Sequence, residues 1–408
     1  MKKLIIFLII TLSLNAQSLR SLLSSATANN ELLKRDNFKL LSAKKGIEAV
    51  NRGYFPTIDI GAMAQNSNPR MLMRPGTTYI AFVKLNYIVY DGGTKKYTKK
   101  QKIYNLSSIN DANKQFKESL YLQIVQEYFN IKSLNGLIKA LYFKKNAIKA
   151  GYKKVKALRD AGIVGDVELF ELKSALESVK FNLNSLKLQK ETLLSELSLK
   201  VGKKINHINN SHFIKKTVTL EPNYLVKSLR AKVESIKESA NVILANNNPK
   251  INLSLDHNKY KYNRTDKAHP KGLSNQTTIT LNAKIRVFDG GTTTAKAQAV
   301  KLQAMSLGYE ANYRLKEQKN NFKLANLRIK NIKVQIKSAK SSLIAAQKSY
   351  NAILKKYNAG IIDNSEYLNA ISNLAQAKAN YKKALNDLEV AYAIYYFNAG
   401  KNLKGYIK

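Results

Sequence analysis

The sequence runs to 408 residues without a cysteine, which excludes a disulfide framework, a thiolate metal site, a thiol nucleophile and an N-terminal lipidated cysteine. Lysine and arginine number 69 against 27 acidic residues, a net charge of +42 that in another chain would point to nucleic acid or an anionic surface. Here the lysines are spread along helical segments with no dense basic tract, zinc-finger spacing or RNA-binding aromatic signature, which argues against a nucleic-acid partner and for a solvated helix surface.

Met1-Lys2-Lys3, the uncharged run Leu4 to Leu14 and then Asn15-Ala16-Gln17 have the basic, apolar and small-residue order of a signal peptide over residues 1–16. A run of about a dozen apolar residues falls short of the roughly 20 that a spanning helix needs, and no longer one follows. That sets helical membrane insertion aside and leaves the periplasm or the outer membrane as destination.

Three landmarks recur 198 residues apart: Asp91-Gly92-Gly93 as Asp289-Gly290-Gly291, Ala161-Gly162-Ile163 as Ala359-Gly360-Ile361, and Gly202-Lys203 as Gly400-Lys401. Pro56 and Ile58 return as Pro249 and Ile251 at an offset of 193, so the second copy carries five extra residues in a loop. The chain reads as two structural repeats, 17–215 and 216–408, each far longer than a solenoid unit. The first is expected to hold a helix over 18–52, strands over 55–66 and 77–90, a long helix over 95–160 and a return helix over 166–200. The second is expected to hold a helix over 222–246, strands over 249–260 and 276–288, a long helix over 294–358 and a return helix over 364–397.

The strand signal is alternation with period two. Ile279, Leu281, Ala283, Ile285 and Val287 share one face against Thr278, Thr280, Asn282, Lys284 and Arg286, and Ile251, Leu253 and Leu255 oppose Asn252, Ser254 and Asp256. Strands of about a dozen residues exceed the roughly 9 to 11 that a tilted transmembrane strand requires. Four of them cannot close a barrel, and an open edge in lipid leaves N–H and C=O groups unpaired, so spanning strands require several chains to share one barrel.

The long helices carry a sustained heptad seam, as in Phe322, Ala325, Ile329, Ile332, Ile336, Tyr350 and Tyr357, and the same phase recurs one repeat earlier. About 65 helical residues make a rod of roughly 100 Å, and two helices of about 35 residues set end to end match it. Asp91 and Asp289 are placed to cap the helices that follow, the glycines after them to turn strand into helix, and Gly162 and Gly360 to end the long helices in tight turns. Asp363 and Glu366 have capping-box spacing. No hydrolase elbow, phosphate loop or HExxH pair occurs, and His207, His212, His257 and His269 complete no metal site or triad, so neither catalysis nor a cofactor is expected.

The Tyr-Phe-Pro-Thr-Ile segment at Tyr54 to Ile58, the Tyr-Asp-Gly-Gly and Phe-Asp-Gly-Gly strand exits and the Ala-Gly-Ile turns, duplicated in this order, resemble the TolC-like outer-membrane efflux family over essentially the whole mature chain. The resemblance implies a mostly α fold with a transmembrane β part: a homotrimer with a shared 12-stranded barrel, four strands per subunit, continued by an α-helical tunnel across the periplasm. It implies a passive outer-membrane duct of a Gram-negative bacterium for a tripartite efflux pump or type I secretion system, docking to a periplasmic adaptor and an inner-membrane pump. The turn residues Gly162, Ile163, Val164, Gly360, Ile361 and Ile362 then form the periplasmic tip where the adaptor docks. In that family acidic residues after the second tip glycine ring the constriction; the matching positions are Glu366 and Asn369, with Glu168 and Glu171 at the equivalent turn of the first repeat. Tyr357 matches a gate tyrosine, whereas Ile362 stands where some members carry a polar latch. A periplasmic coiled-coil adaptor that conducts nothing is the other reading of the seams, and the amphipathic strands discriminate, because an adaptor needs no lipid-facing sheet.

Overall fold

The computed structural model describes residues 17–68, 76–262 and 274–408; the expected signal peptide, most of both strand-connecting loops and His269 lie outside the described residues. The chain forms two compact units, and each draws on both sequence repeats.

The sheet unit comprises the described residues of Asn37–Ala112 and Leu225–Arg314. Its four antiparallel strands, β1 (Thr57–Asn66), β2 (Thr77–Tyr90), β3 (Lys250–Tyr262) and β4 (Asn275–Lys284), lie in the order β1-β2-β3-β4. Each repeat contributes one hairpin, and the β2–β3 ladder joins them. The register aligns the sequence alternation into rows: Ile58, Leu85, Leu255 and Ile279 lie across one face, while Asp59, Lys84, Asp256 and Thr278 lie across the other. On the second face the Phe82 ring covers Gly61, its cross-strand partner, so closely that a Cβ there would come within 2.5 Å of it.

β4 stops at Lys284, so Ile285, Arg286, Val287 and Phe288 lie outside the strand expected to reach 288. The chain opposite them explains the early end: a 3-10 turn at Ala245–Asn247 and then Pro249, which has no N–H to donate, precede β3. Helix α5 (Tyr224–Leu244) packs through small residues. Ser228 Oγ donates to the Ser108 carbonyl at 2.8 Å and Ser235 Oγ to that of Gln101 at 3.0 Å, both on α3 (Thr94–Asp160).

The helix expected over 18–52 is two helices, α1 (Leu19–Asn29) and α2 (Glu31–Arg52). Asn30 separates them in an extended conformation, with its Oδ1 accepting from the N–H groups of Leu32 and Leu33 and its Nδ2 donating to the Lys200 carbonyl. A side chain that caps α2 while binding a neighbouring helix end outweighs one more helical turn.

The helical unit comprises the described residues of Met1–Asp36, Asn113–Tyr224 and Leu315–Lys408. It holds α1, most of α3, α4 (Asp166–Val201), most of α6 (Thr292–Asn358) and α7 (Asn364–Asn398). Two cores fill it. One gathers Leu19, Leu22, Tyr121, Tyr128, Phe129, Phe213 and Tyr396; the other gathers Ile148, Leu172, Tyr350, Tyr357, Tyr367 and Ile371. Seam residues Ile124, Ile131, Ile329, Ile332, Leu374 and Ala391 are all buried, as heptad packing requires. Buried polar groups fasten the segments after α4 and α7. Gln318, 3% exposed, donates to the carbonyls of Glu221 and Asn398 and accepts from Asn223 N–H, and Glu389 accepts from Phe213 N–H at 2.6 Å beside Lys215 and His212.

Candidate functional site

In the sheet unit the two strand-to-helix turns share one local design. Asp91 Oδ1 accepts from Gly93 N–H at 3.1 Å and Oδ2 from Lys95 N–H at 2.6 Å, so the carboxylate satisfies free donors at the start of α3. Asp289 does the same for α6 through the N–H groups of Gly291 and Thr293, both at 3.0 Å. The Thr293 contacts foremost, then Gly291 N–H and Arg286, hold the Asp289 carboxyl below the usual carboxylate range. The surroundings differ. Gly92 sits against the segment before β3, where the Asn248 amide donates to its carbonyl and a Cβ would meet the Ala245 oxygen at 2.7 Å. Gly290 and Gly291 face open space.

In the helical unit the α3–α4 and α6–α7 turns are built alike. Gly162, at φ +75°, accompanies a bond from Ile163 N–H to the Leu158 carbonyl, and Gly360, at φ +74°, one from Ile361 N–H to that of Lys356. Both are left-handed helix ends in which a side chain would be strained. Ile163 and Ile361 are 68% and 71% exposed, whereas Val164 and Ile362 tuck against the second core. Asp363 caps α7 by accepting from Glu366 N–H at 2.9 Å. Glu366, Asn369 and Glu171 have exposed side chains. Glu168 is half-buried, with one carboxylate oxygen enclosed and unpartnered among the described residues.

A polar chain absent from the sequence reading ties four helices together here. Lys154 Nζ on α3 donates to the Tyr357 and Asn358 carbonyls at the end of α6, where a cation complements the helix dipole. Tyr357 Oη donates to Asn364 Oδ1 at 2.7 Å, and Asn364 Nδ2 reaches the Glu168 carbonyl on α4 at 3.4 Å. Asn364 thus hydrogen-bonds to both neighbouring helices, while Ile362 makes apolar contacts. Its signal was present: Asn364 stands one heptad beyond Tyr357 on the seam and is 5% exposed, although the turn interrupts the helix between them. Burial raises the Tyr357 and Tyr367 hydroxyl pKa values, so both rings stay neutral donors.

A four-stranded antiparallel sheet whose edge strands β1 and β4 pair with no further strand among the described residues, in a duplicated and mostly helical chain, sets the class of protein: a two-repeat subunit whose sheet does not close on itself. The outer membrane efflux protein family matches residues 22–203 and 218–394. The chain belongs to this family of outer-membrane efflux channels. A search of curated proteins finds no match. Among solved structures, the outer-membrane channel CmeC of Campylobacter jejuni superposes with a TM-score of 0.81 at 18% identity, over 95% of this chain and 86% of that one. VceC of Vibrio cholerae gives 0.79 at 12% over 94% and 96%, and CusC gives 0.81 at 14% over 94% and 92%. At such identities the likeness is one of fold.

Proposed function

We propose that this outer-membrane efflux channel works as a homotrimer: three copies of the sheet close one 12-stranded barrel, and the helical units form the periplasmic duct. The observation that carries the trimer is the pair of free edges, β1 and β4, on a sheet with one apolar face. In lipid each edge must be paired, and β4 of one subunit against β1 of the next pairs them all. The open turn at Gly290 supports the same arrangement, since its counterpart Gly92 is covered by the segment before β3, and the equivalent segment before β1 leaves Arg52, Phe55 and Pro56 exposed to cover Gly290 of a neighbour.

In this reading the exposed Ile163 and Ile361 form the tip surface for a periplasmic adaptor, the inner-membrane pump supplies the energy, and the channel catalyses nothing. Glu366 and Asn369 ring the constriction, with Glu168 and Glu171 beside it, and the Tyr357–Asn364 bond holds the turn. A non-conducting adaptor would leave the lipid-facing sheet and its edges without a role. Sizing the protein in mild detergent, with heat-modifiable migration as a second readout, tests the proposal: a trimer is expected, and a monomer that conducts ions would overturn it.

A further inference from the structure

The lipid-facing side of the sheet is not uniformly apolar. Taken from the helix end outward, the row Ile58, Leu85, Leu255 and Ile279 is apolar across all four strands. The next row keeps Ile60 and Val83 on β1 and β2 but has His257 and Thr277 on β3 and β4, joined by a 2.8 Å hydrogen bond. The row after that sets Ala62 and Ala81 beside Lys259 and Asn275, and Lys261 follows opposite Tyr79. The outer end of β3 and β4 is thus a cationic notch in an apolar face.

Its depth fixes what it meets. Lys259 lies eight residues beyond Ile251, about 26 Å along the strand and about 20 Å along the membrane normal at a tilt near 40°. The apolar band of an outer-membrane barrel is about 25 Å tall, so Lys259 and Lys261 stand at its outer boundary. Aromatic residues mark the same limits independently: Tyr87 lies near the inner end of this face and Tyr79, beside Lys261, at the outer end. No carboxylate lies on this face among the described residues. Asp59 and Asp256 are on the opposite face, flanking Lys84, whose Nζ is 3.6 Å from Asp256.

From this placement, and resting on the barrel reading above, we infer that the outer end of β3 binds the phosphate of a phosphorylated glycolipid headgroup in the outer leaflet. Lys259 and Lys261 supply the charge, and Asn275 supplies amide donors one strand away. Lysine serves phosphate as a point charge, and two of them separated by one residue on a strand lie about 7 Å apart, a span that several phosphate oxygens can bridge.

The test uses the full chain as detergent-solubilised trimers, wild type and Lys259→Gln/Lys261→Gln, titrated with a bis-phosphorylated diglucosamine lipid, its dephosphorylated form, and inorganic phosphate. Lys259→Arg/Lys261→Arg and Lys250→Gln, at the inner end of the strand on the other face, serve as controls. The wild type and both controls are expected to bind the phosphorylated lipid, the double glutamine variant about thirtyfold more weakly, and the dephosphorylated lipid to bind all forms equally poorly. Undiminished binding by the double glutamine variant, equal binding of the dephosphorylated lipid, or displacement by inorganic phosphate at comparable concentration would each overturn the site. A wild type that forms no heat-modifiable trimer overturns the barrel reading itself, whereas a sound trimer without phosphate preference overturns the lipid site alone.

Discussion

Tyr357 and Tyr367 stack face to face at the end of α6, with ring centroids 4.1 Å apart and planes 5° from parallel. The stack fits because residue 151 on α3 is glycine: a Cβ there would come within 3.3 Å of the Tyr367 ring and 3.4 Å of the Tyr357 hydroxyl. Gly151→Leu is expected to separate the rings and loosen the α6–α7 turn, raising single-channel conductance in planar bilayers and lowering the Tm by several degrees. Overpacking of this kind costs about 1 to 3 kcal/mol. Unchanged conductance with a lowered Tm would assign the stack to stability alone.

Tyr357→Phe keeps the stack and removes only the hydrogen bond to Asn364. Leaving a buried acceptor unsatisfied costs about 1 to 3 kcal/mol. If this bond holds the turn, the variant conducts more than wild type, and Asn364→Leu reproduces the effect. Thermal unfolding followed beside conductance separates a local from a global change.

The membrane faces are tested by adjacent residues on β4. Leu281 is 68% exposed on the apolar face, and Asn282 lies on the other. A lysine on the lipid side costs about 2 to 4 kcal/mol at the midplane and less toward either interface, whereas one on the lumen side does not meet hydrocarbon. Leu281→Lys is therefore expected to reduce barrel assembly and Asn282→Lys to leave it intact, measured as heat-modifiable trimer; equal assembly would reverse or abolish the face assignment.

Glu118, 5% exposed, accepts from Leu403 N–H at 3.0 Å, and burial pushes its carboxyl pKa up despite that bond. The folded protein then holds a proton that the unfolded chain releases near the ordinary glutamate range. Stability falls as pH rises from that range through the raised pKa, and the ionised carboxylate is a net cost above it. Glu118→Gln keeps the acceptor for Leu403 and removes the titration. It is expected to flatten the dependence of Tm on pH between about 4.3 and 7 and to be at least as stable as wild type at pH 7. A steeper dependence in the variant would contradict the assignment.

The repeat, the two-sided strands and the heptad seams were legible because each is periodic, and periodicity survives without a structure. The missed features are single side chains whose roles depend on a distant partner. Asn30 reads as an ordinary helix residue until the Lys200 carbonyl stands beside it, and β4 reads as continuing to 288 until Pro249 comes opposite its end. At the turns the sequence yielded the caps at Asp91, Asp289 and Asp363, which act on their own helices. The link from Lys154 through Tyr357 and Asn364 to α4 joins residues some 200 positions apart and has no local signature.

The proposed gate is tested at Glu366. Its backbone N–H is held by Asp363 while its side chain is exposed, one turn before the exposed Asn369 on the same helix. A carboxylate in the first turn of a helix complements the helix dipole, which is worth about 0.3 to 1 kcal/mol and requires no gate. Three copies around a trimer axis add a second consequence, since the ring concentrates cations and binds a divalent ion better than a monovalent one, increasingly so at low salt. The two roles separate in Glu366→Gln, which removes the charge and keeps the side chain's size and the Asp363 cap. A constriction ring predicts at least a tenfold higher divalent-cation concentration for half block, with little change in Tm. A merely helix-stabilising glutamate predicts unchanged block and a small fall in Tm. Glu171→Gln, measured alongside, shows whether the first repeat contributes to the ring: a shift in block comparable to that of Glu366→Gln places both turns at the constriction, and block changed only by Glu366→Gln confines it to the second.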